Sequence, residues 1–237
     1  MWPFYPTGTL PRDFLADYSQ HFGVMEIDST FCQIPTAKMV DVWSVATPKR
    51  FGFAPKVPQA VTREKRLQNC AAEPDALLST MPRLRPERGP RVFPFDASFR
   101  VDSLPMLAEP LTGLPSDLRY AVDVRRRDRF CHMLCRLLEE HHTVLVLAGL
   151  NYLRELERVS TDFDSVRLLG RRSGTPGDFS RVRLDQKPEL TLWPGRIREY
   201  LRRGLMVFVL ANNRFQGHST ATACALLAET TGVASKP

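Results

Sequence analysis

Two carboxylates stand inside an otherwise apolar stretch, Val24 to Phe31, which reads "VMEIDSTF". Side chains alternate between the two faces of a strand. A strand here puts Glu26, Asp28 and Thr30 on one face, with Met25, Ile27 and Phe31 on or near the other. Comparable polar endings recur along the chain. Lys56 closes "FGFAPK", and Asp123 and Arg125 close "YAVDVR" in phase with Ala121. Arg167, Leu169 and Arg171 share a phase in "VRLLGR", and Asn212 and Asn213 close "VFVLANN". Glu26, Asp28 and Asp123 have the chemistry of general acids, bases or metal ligands. Lys56 and Arg125 can face developing negative charge, and Arg167 and Arg171 can grip a phosphate or carboxylate in two-pronged fashion. The expected catalytic set is therefore Glu26, Lys56, Asp123 and Arg125. The expected substrate contacts are Asp28, Arg167, Arg171, Asn212 and Asn213. A buried ion-pair network that satisfies itself accounts for the same residues without any substrate.

Positioning these groups falls to short apolar runs that alternate with longer amphipathic ones. "VMEIDSTF", "RFGFAPK", "PRVFPF", "RYAVDV", "TVLVLAG", "DSVRLLG" and "LMVFVLANN" read as strands, about seven in all. Pro94 weakens the third of them. Helical spacing appears in "PTAKMVDVWSVA", in residues 73–86, and in "FCHMLCRLLEEHH" with Phe130, Leu134, Leu137 and Leu138 on one side. It appears again after Pro194, stopping at Gly204, and in "STATACALLAET". Tight hairpin signals are lacking, so parallel strands with crossover helices fit best. The expectation is a single domain over residues 1–237, an α/β protein of TIM-barrel-like (β/α) type, one strand short of eight. "MPRLRPERGPR" and "RRSGTPGDF" read as long loops within it, the second able to cradle phosphate through backbone N–H groups.

Composition narrows the function classes. The 237 residues carry a formal net charge of +7, with 43% hydrophobic and 25% charged residues. A folded protein with anionic partners, either a small molecule or nucleic acid, follows from that balance. No apolar run is long enough to span a bilayer, and "MWPFYPTG" is unlike a signal peptide, so a cytoplasmic protein without a membrane partner is expected. The five cysteines are scattered and make no disulfide framework. Cys131 and Cys135 lie four apart on one helical face, but nothing supplies the remaining ligands of a closed zinc site. Of the histidines only His218 falls near the polar strand ends. A divalent metal on carboxylates is not favoured, and the cofactor is left unassigned. Walker, dinucleotide-binding and nucleophile-elbow motifs are absent.

The motifs "FYPTG", "FGVMEIDSTF", "FGFAPKVPQAVTREKRL", "RYAVDVR", "SVRLLGR" and "VFVLANNRFQGH" follow one another as in the YecE-like family, which this chain resembles over almost its whole length. That family is of unknown function and TIM-barrel-like. The resemblance implies the barrel, with Glu26, Lys56, Arg125, Arg167, Asn212 and Asn213 on its recurring polar positions. Ser29, Thr30, Phe31, Gly170 and Arg171 match around the opening and late motifs. The chain begins almost on "FYP", where members usually carry a strand first, so one barrel strand is expected to be absent at the N-terminus. Asp28 stands where members commonly have asparagine, and Asp123 where they commonly have glutamate. Leu169 replaces a frequent histidine, and Gly149 a frequent aspartate. Three functions remain open on this reading: an enzyme acting on a phosphate-bearing substrate at the carboxyl ends of the strands, a nucleic-acid-binding or nuclease-like protein, and a non-catalytic barrel that serves as a binding module.

Overall fold

The computed structural model describes residues 4–68, 89–125, 131–148, 161–170 and 178–232. They form a mixed α/β fold in which every strand pair is parallel. Two compact units divide the chain. One comprises residues 12–146 with 153–161, and the other residues 1–11, 147–152 and 162–237.

The first unit holds strands β1 (Val24–Ile27), β2 (Gly52–Pro55), β3 (Arg91–Pro94), β4 (Tyr120–Asp123) and β5 (Val144–Leu145). β1 pairs with β2, and β3–β4–β5 form a second ladder. A parallel bridge between Lys56 and Val92 joins the two ladders, with the Val57 N–H donating to the Val92 carbonyl at 2.9 Å. The strands thus stand in sequence order. All four residues of β2, β3 and β4 are buried, the mark of a parallel sheet covered on both faces. Helices supply the cover. α1 (Phe14–His21) precedes β1, a single turn α2 (Ser29–Cys32) follows it, and α3 (Ala37–Ala46) leads to β2. Thr36 caps α3 by accepting the Met39 N–H at 3.3 Å, so the helix begins two residues after Pro35. α4 (Leu104–Thr112) and α5 (Cys131–Glu140) flank β4 in sequence. The core gathers Val40, Phe51, Phe53, Phe93, Leu107, Val122, Leu134 and Leu138. Cys135 is buried among them and acts as a small apolar residue.

The second unit holds β6 (Leu147–Ala148), β7 (Phe163–Leu168) and β8 (Met206–Ala211), again in sequence order. Around them run α6 (Lys187–Leu190), α7 (Trp193–Arg202), α8 (Asn213–Gln216) and α9 (Ser219–Thr231). Gly204 takes a left-handed φ of 79° two residues after α7, where an L side chain would be strained.

All seven strands read from the sequence are present, the fifth split into β5 and β6 at Val146. Pro94 does not break β3 but ends it, paired with Asp123. Two details differ from expectation. "VMEIDSTF" is strand only to Ile27, and Ser29–Cys32 turn helical, so Asp28 and Thr30 do not share a strand face with Glu26. The Asp28 backbone already has helical φ and ψ, which ends the two-residue alternation. β8 likewise ends at Ala211, before the asparagines. The expected helix at 73–86, and Phe130, lie outside the described residues. No closed barrel is traced by the ladders among the described residues, and no helix among them is long and apolar enough to cross a membrane.

At the amino end of β4, Tyr120 is 4% exposed, and its hydroxyl has no hydrogen-bond partner among the described residues. Burial pushes the phenol up to about 12, with nearby Arg91 opposing and Asp117 adding to the shift. The folded protein therefore keeps this proton while the unfolded chain loses it near pH ~10. Stability from this group is whole below that pH and is lost as pH climbs toward about 12. Tyr120→Phe is expected to cost less than about 1 kcal/mol at neutral pH, because it removes a hydroxyl without a partner. It should also flatten the decline in stability above pH ~10. Urea unfolding of both proteins at neutral and alkaline pH tests this, and a wild-type-like alkaline decline in the variant refutes it.

Candidate functional site at the carboxyl ends of the strands

The charged strand ends of the first unit are assembled by one buried threonine. Thr30, on the turn after β1, is fully buried. Its hydroxyl accepts the Lys56 N–H at 2.9 Å and lies 2.8 Å from both the Ile27 and Lys56 carbonyls. A hydroxyl has one proton, so it serves one of those carbonyls at a time. Across the strand, Lys56 bridges to Val92 of β3. The lysine backbone is thereby fixed from both neighbours, and its side chain reaches Glu26 of β1 and Asp28 just past it.

Lys56 Nζ lies 2.8 Å from Glu26 Oε1 and also pairs with Asp28. Lys56 and Glu26 are nearly buried, at 14% and 16% exposure, whereas Asp28 is 78% exposed. The triad is one cation between two carboxylates, with a formal charge of −1. A cation so enclosed orients an acid and neutralises part of its charge. Asp28 is the exposed member of the triad.

Asp123 ends β4 and is buried, and its carbonyl accepts the Phe95 N–H at 2.8 Å. Arg125 lies two residues beyond β4 and is exposed. The loop after β3 carries Asp96, whose Oδ1 accepts from the Ser98 hydroxyl at 2.6 Å and the Ser98 N–H at 2.8 Å. Those two bonds, helped by Arg63 and Arg66, hold its carboxyl below the usual carboxylate range. Arg63 follows β2 on a five-residue π-helical turn, Ala60–Glu64, and the sequence reading did not single it out. The signal available was its place in "KVPQAVTREKRL", seven residues past the strand-end lysine.

The remaining expected residues belong to the second unit. Arg167 lies on β7 and is buried. Arg171 and most of the "RRSGTPGD" loop lie outside the described residues. Asn212 caps α8: its Oδ1 accepts the Arg214 N–H at 3.1 Å and the Gly170 N–H at 3.3 Å. Asn213 Oδ1 accepts the Ser219 N–H at 2.9 Å at the start of α9. Gly170 explains its place in the late motif, since a Cβ there would come within 1.6 Å of the Arg214 carbonyl oxygen. His218 caps α9 through Nδ1, which accepts the Ala221 N–H at 3.1 Å, so the neutral ring carries its proton on Nε2. Among the described residues, no group of three or more His, Cys, Asp or Glu is arranged to hold a metal ion.

Sequence-ordered parallel strands, with acids and a lysine at carboxyl ends in the first unit, define a mixed α/β protein. The chain matches, over residues 2–236, the family described as "Protein of unknown function DUF72", and it belongs to that family. It is 29% identical over 116 residues to the UPF0759 protein YecE of Escherichia coli (strain K12), covering 49% of this chain and 43% of that protein. It is 36% identical over 62 residues to the UPF0759 protein YunF of Bacillus subtilis (strain 168), covering 26% and 22%. These alignments span less than half of each relative. A DUF72 family protein of Thermotoga maritima MSB8 superposes with a TM-score of 0.76 at 20% identity, covering 95% of this chain and 93% of that one. One from Enterococcus faecalis V583 gives 0.74 at 18% identity, covering 92% and 93%. At these identities the likeness establishes the fold.

Thr30→Val keeps the shape of the side chain and leaves the Lys56 N–H without its acceptor. We expect it to cost about 1–3 kcal/mol. Thr30→Ser keeps the hydroxyl and loses one methyl, about 1 kcal/mol. Asp28→Asn removes an exposed pair and should stay within about 1 kcal/mol of the wild type. Denaturant unfolding of the three variants checks the order, and a Val variant as stable as the Ser variant contradicts it.

Proposed function

We propose that this protein is an enzyme that binds a small phosphate-bearing molecule at the carboxyl ends of β1–β4 and moves a proton on it. The observation that carries the reading is the Glu26–Lys56–Asp28 triad at adjacent strand ends, with Glu26 nearly buried and Asp28 exposed. A shielded carboxylate fixed by an ammonium is a positioned proton-transfer group. Lys56, once its partner takes up a proton, is available to negative charge developing on the substrate. On this reading Arg125, exposed two residues past β4, meets the anionic group, and the buried Asp123 serves as the second acid. The fold is TIM-barrel-like on this reading, which the uniform parallel pairing and sequence-order winding support. The +7 net charge favours the same class of ligand.

A thermal-shift screen of phosphorylated metabolites, each paired with its unphosphorylated parent, tests the proposal. The expected result is stabilisation by a phosphorylated compound alone, weakened in Arg125→Gln. Glu26→Gln should retain binding and lose turnover of that compound by about a hundredfold or more. A screen in which no anionic compound raises the melting temperature overturns the reading.

A further inference from the structure

Arg63 has an arrangement that the strand-end pattern does not explain. Its guanidinium carbon lies 4.7 Å from the centroid of the Phe31 ring, on the turn after β1. Its Nε lies 3.9 Å from Asp96 Oδ2, on the loop after β3. That distance is an ion pair but too long for a hydrogen bond. Nε is screened from water and donates to nothing among the described residues. One side chain thus touches the loops that follow the strands on either side of its own. Its guanidinium carbon sits over the Phe31 ring, while its five N–H donors form no hydrogen bond to the described residues. Asp96 is committed to Ser98 through Oδ1, so it serves Arg63 as a loose counter-ion.

The backbone around Arg63 is unusual in the same sense. The π-helical turn closes with the Lys65 N–H donating to the Ala60 carbonyl at 2.9 Å. Arg66 and Leu67 then take left-handed φ values of 48° and 67°. Leu67 is buried, and its N–H donates to the Val61 carbonyl at 2.9 Å, which holds the turn in place. Arg66, exposed, is close enough to Asp96 to help lower its carboxyl. π turns and left-handed non-glycine residues concentrate where function sets the backbone. The two arginines and one aspartate carry a formal charge of +1, in contrast to the −1 of the Glu26–Lys56–Asp28 triad. The edge is bipolar.

We propose that Arg63, with Arg66, holds the phosphate of a hydroxyl-bearing phosphomonoester whose hydroxyl end lies toward the Glu26–Lys56–Asp28 triad. This inference rests on the phosphate reading of the same edge and names the residue that grips the anion. The guanidinium exchanges its 3.9 Å contact with Asp96 for direct hydrogen bonds to phosphate oxygens, which costs little because that contact is long. No covalent step is involved.

Binding of inorganic phosphate to the full chain, measured calorimetrically at constant ionic strength, tests the proposal with Arg63→Gln, Arg63→Lys and Arg125→Gln. Melting temperatures without phosphate identify any variant that fails to fold, and Arg63→Lys keeps the charge if the Gln variant does. The expected result is affinity weakened about tenfold or more in Arg63→Gln and less in Arg63→Lys. Wild-type affinity in a folded Arg63→Gln, with loss in Arg125→Gln, overturns the role of Arg63 and leaves the phosphate reading standing. Absence of phosphate binding by the wild type overturns both. Binding that depends on Arg63, with turnover of every phosphorylated compound unchanged in Glu26→Gln, upholds the anion site and removes the catalytic reading.

Discussion

The carboxyl-end edge of the first unit depends on one hydroxyl taking the place of a ladder hydrogen bond. Past Ile27 the chain leaves the strand, and the Lys56 N–H does not take a β1 carbonyl as its partner. Thr30 Oγ1 accepts it instead, at 2.9 Å. A buried donor left unmet costs about 1–3 kcal/mol, so the turn after β1 and the start of the loop after β2 are locked together. That lock lets β1 end early. Asp28, on the helical turn, pairs with the same ammonium as Glu26.

The parallel α/β pattern was legible because strands buried on both faces make short apolar runs, as β2, β3 and β4 do. "FGFAP", "RVFP" and "YAVD" are recognisable without neighbours because every position is covered. Elements set by tertiary context were not legible. α1 begins at Phe14 without a side-chain cap, and α4 carries Pro110 within it. Start signals were present, Asp13 before the first and Ser103 with Pro105 at the second, but no long apolar period followed either of them. Strand ends were overrun for a related reason: Asp28 and Asn212 look like continuations of an alternating pattern, yet each marks the start of a helical turn. For Asn212 the cap chemistry was present in the sequence. It was masked by the expectation that polar residues at a strand end face a site.

Acids and a lysine at strand ends can be read from alternation alone, and the structure joins three of them, Glu26, Asp28 and Lys56. Arg63 could not be found that way. It sits on a π turn, whose i to i+5 bond shifts side chains out of helical phase, and no composition signal marks such a turn. Its neighbours, Phe31 and Asp96, come from loops 32 residues before and 33 residues after it. Only folding brings these together. In the second unit, the asparagine amide oxygens are taken up by helix caps and strand-end contacts, so those residues shape the loop after β8 whether or not their amide nitrogens meet a ligand.

Net charge and local charge point in different directions here, and the difference bears on ligand size. The whole chain carries +7, which a long polyanion could sense over a broad face. The edge of β1–β3 is not uniformly basic: a triad of formal charge −1 stands beside an arginine pair whose single aspartate leaves +1. A continuous phosphate backbone crossing that edge would meet Asp28 at 78% exposure as readily as the arginines. Like charges facing each other across an interface are costly, and discrimination often rests on such repulsion. A molecule with one anionic end and one neutral, hydroxyl-bearing end offers its charge to the arginines and a hydrogen-bond donor, without repulsion, to the carboxylates. On the proposed reading, this alternation of sign disfavours a polyanion at the edge and suits a short ligand with one anionic end.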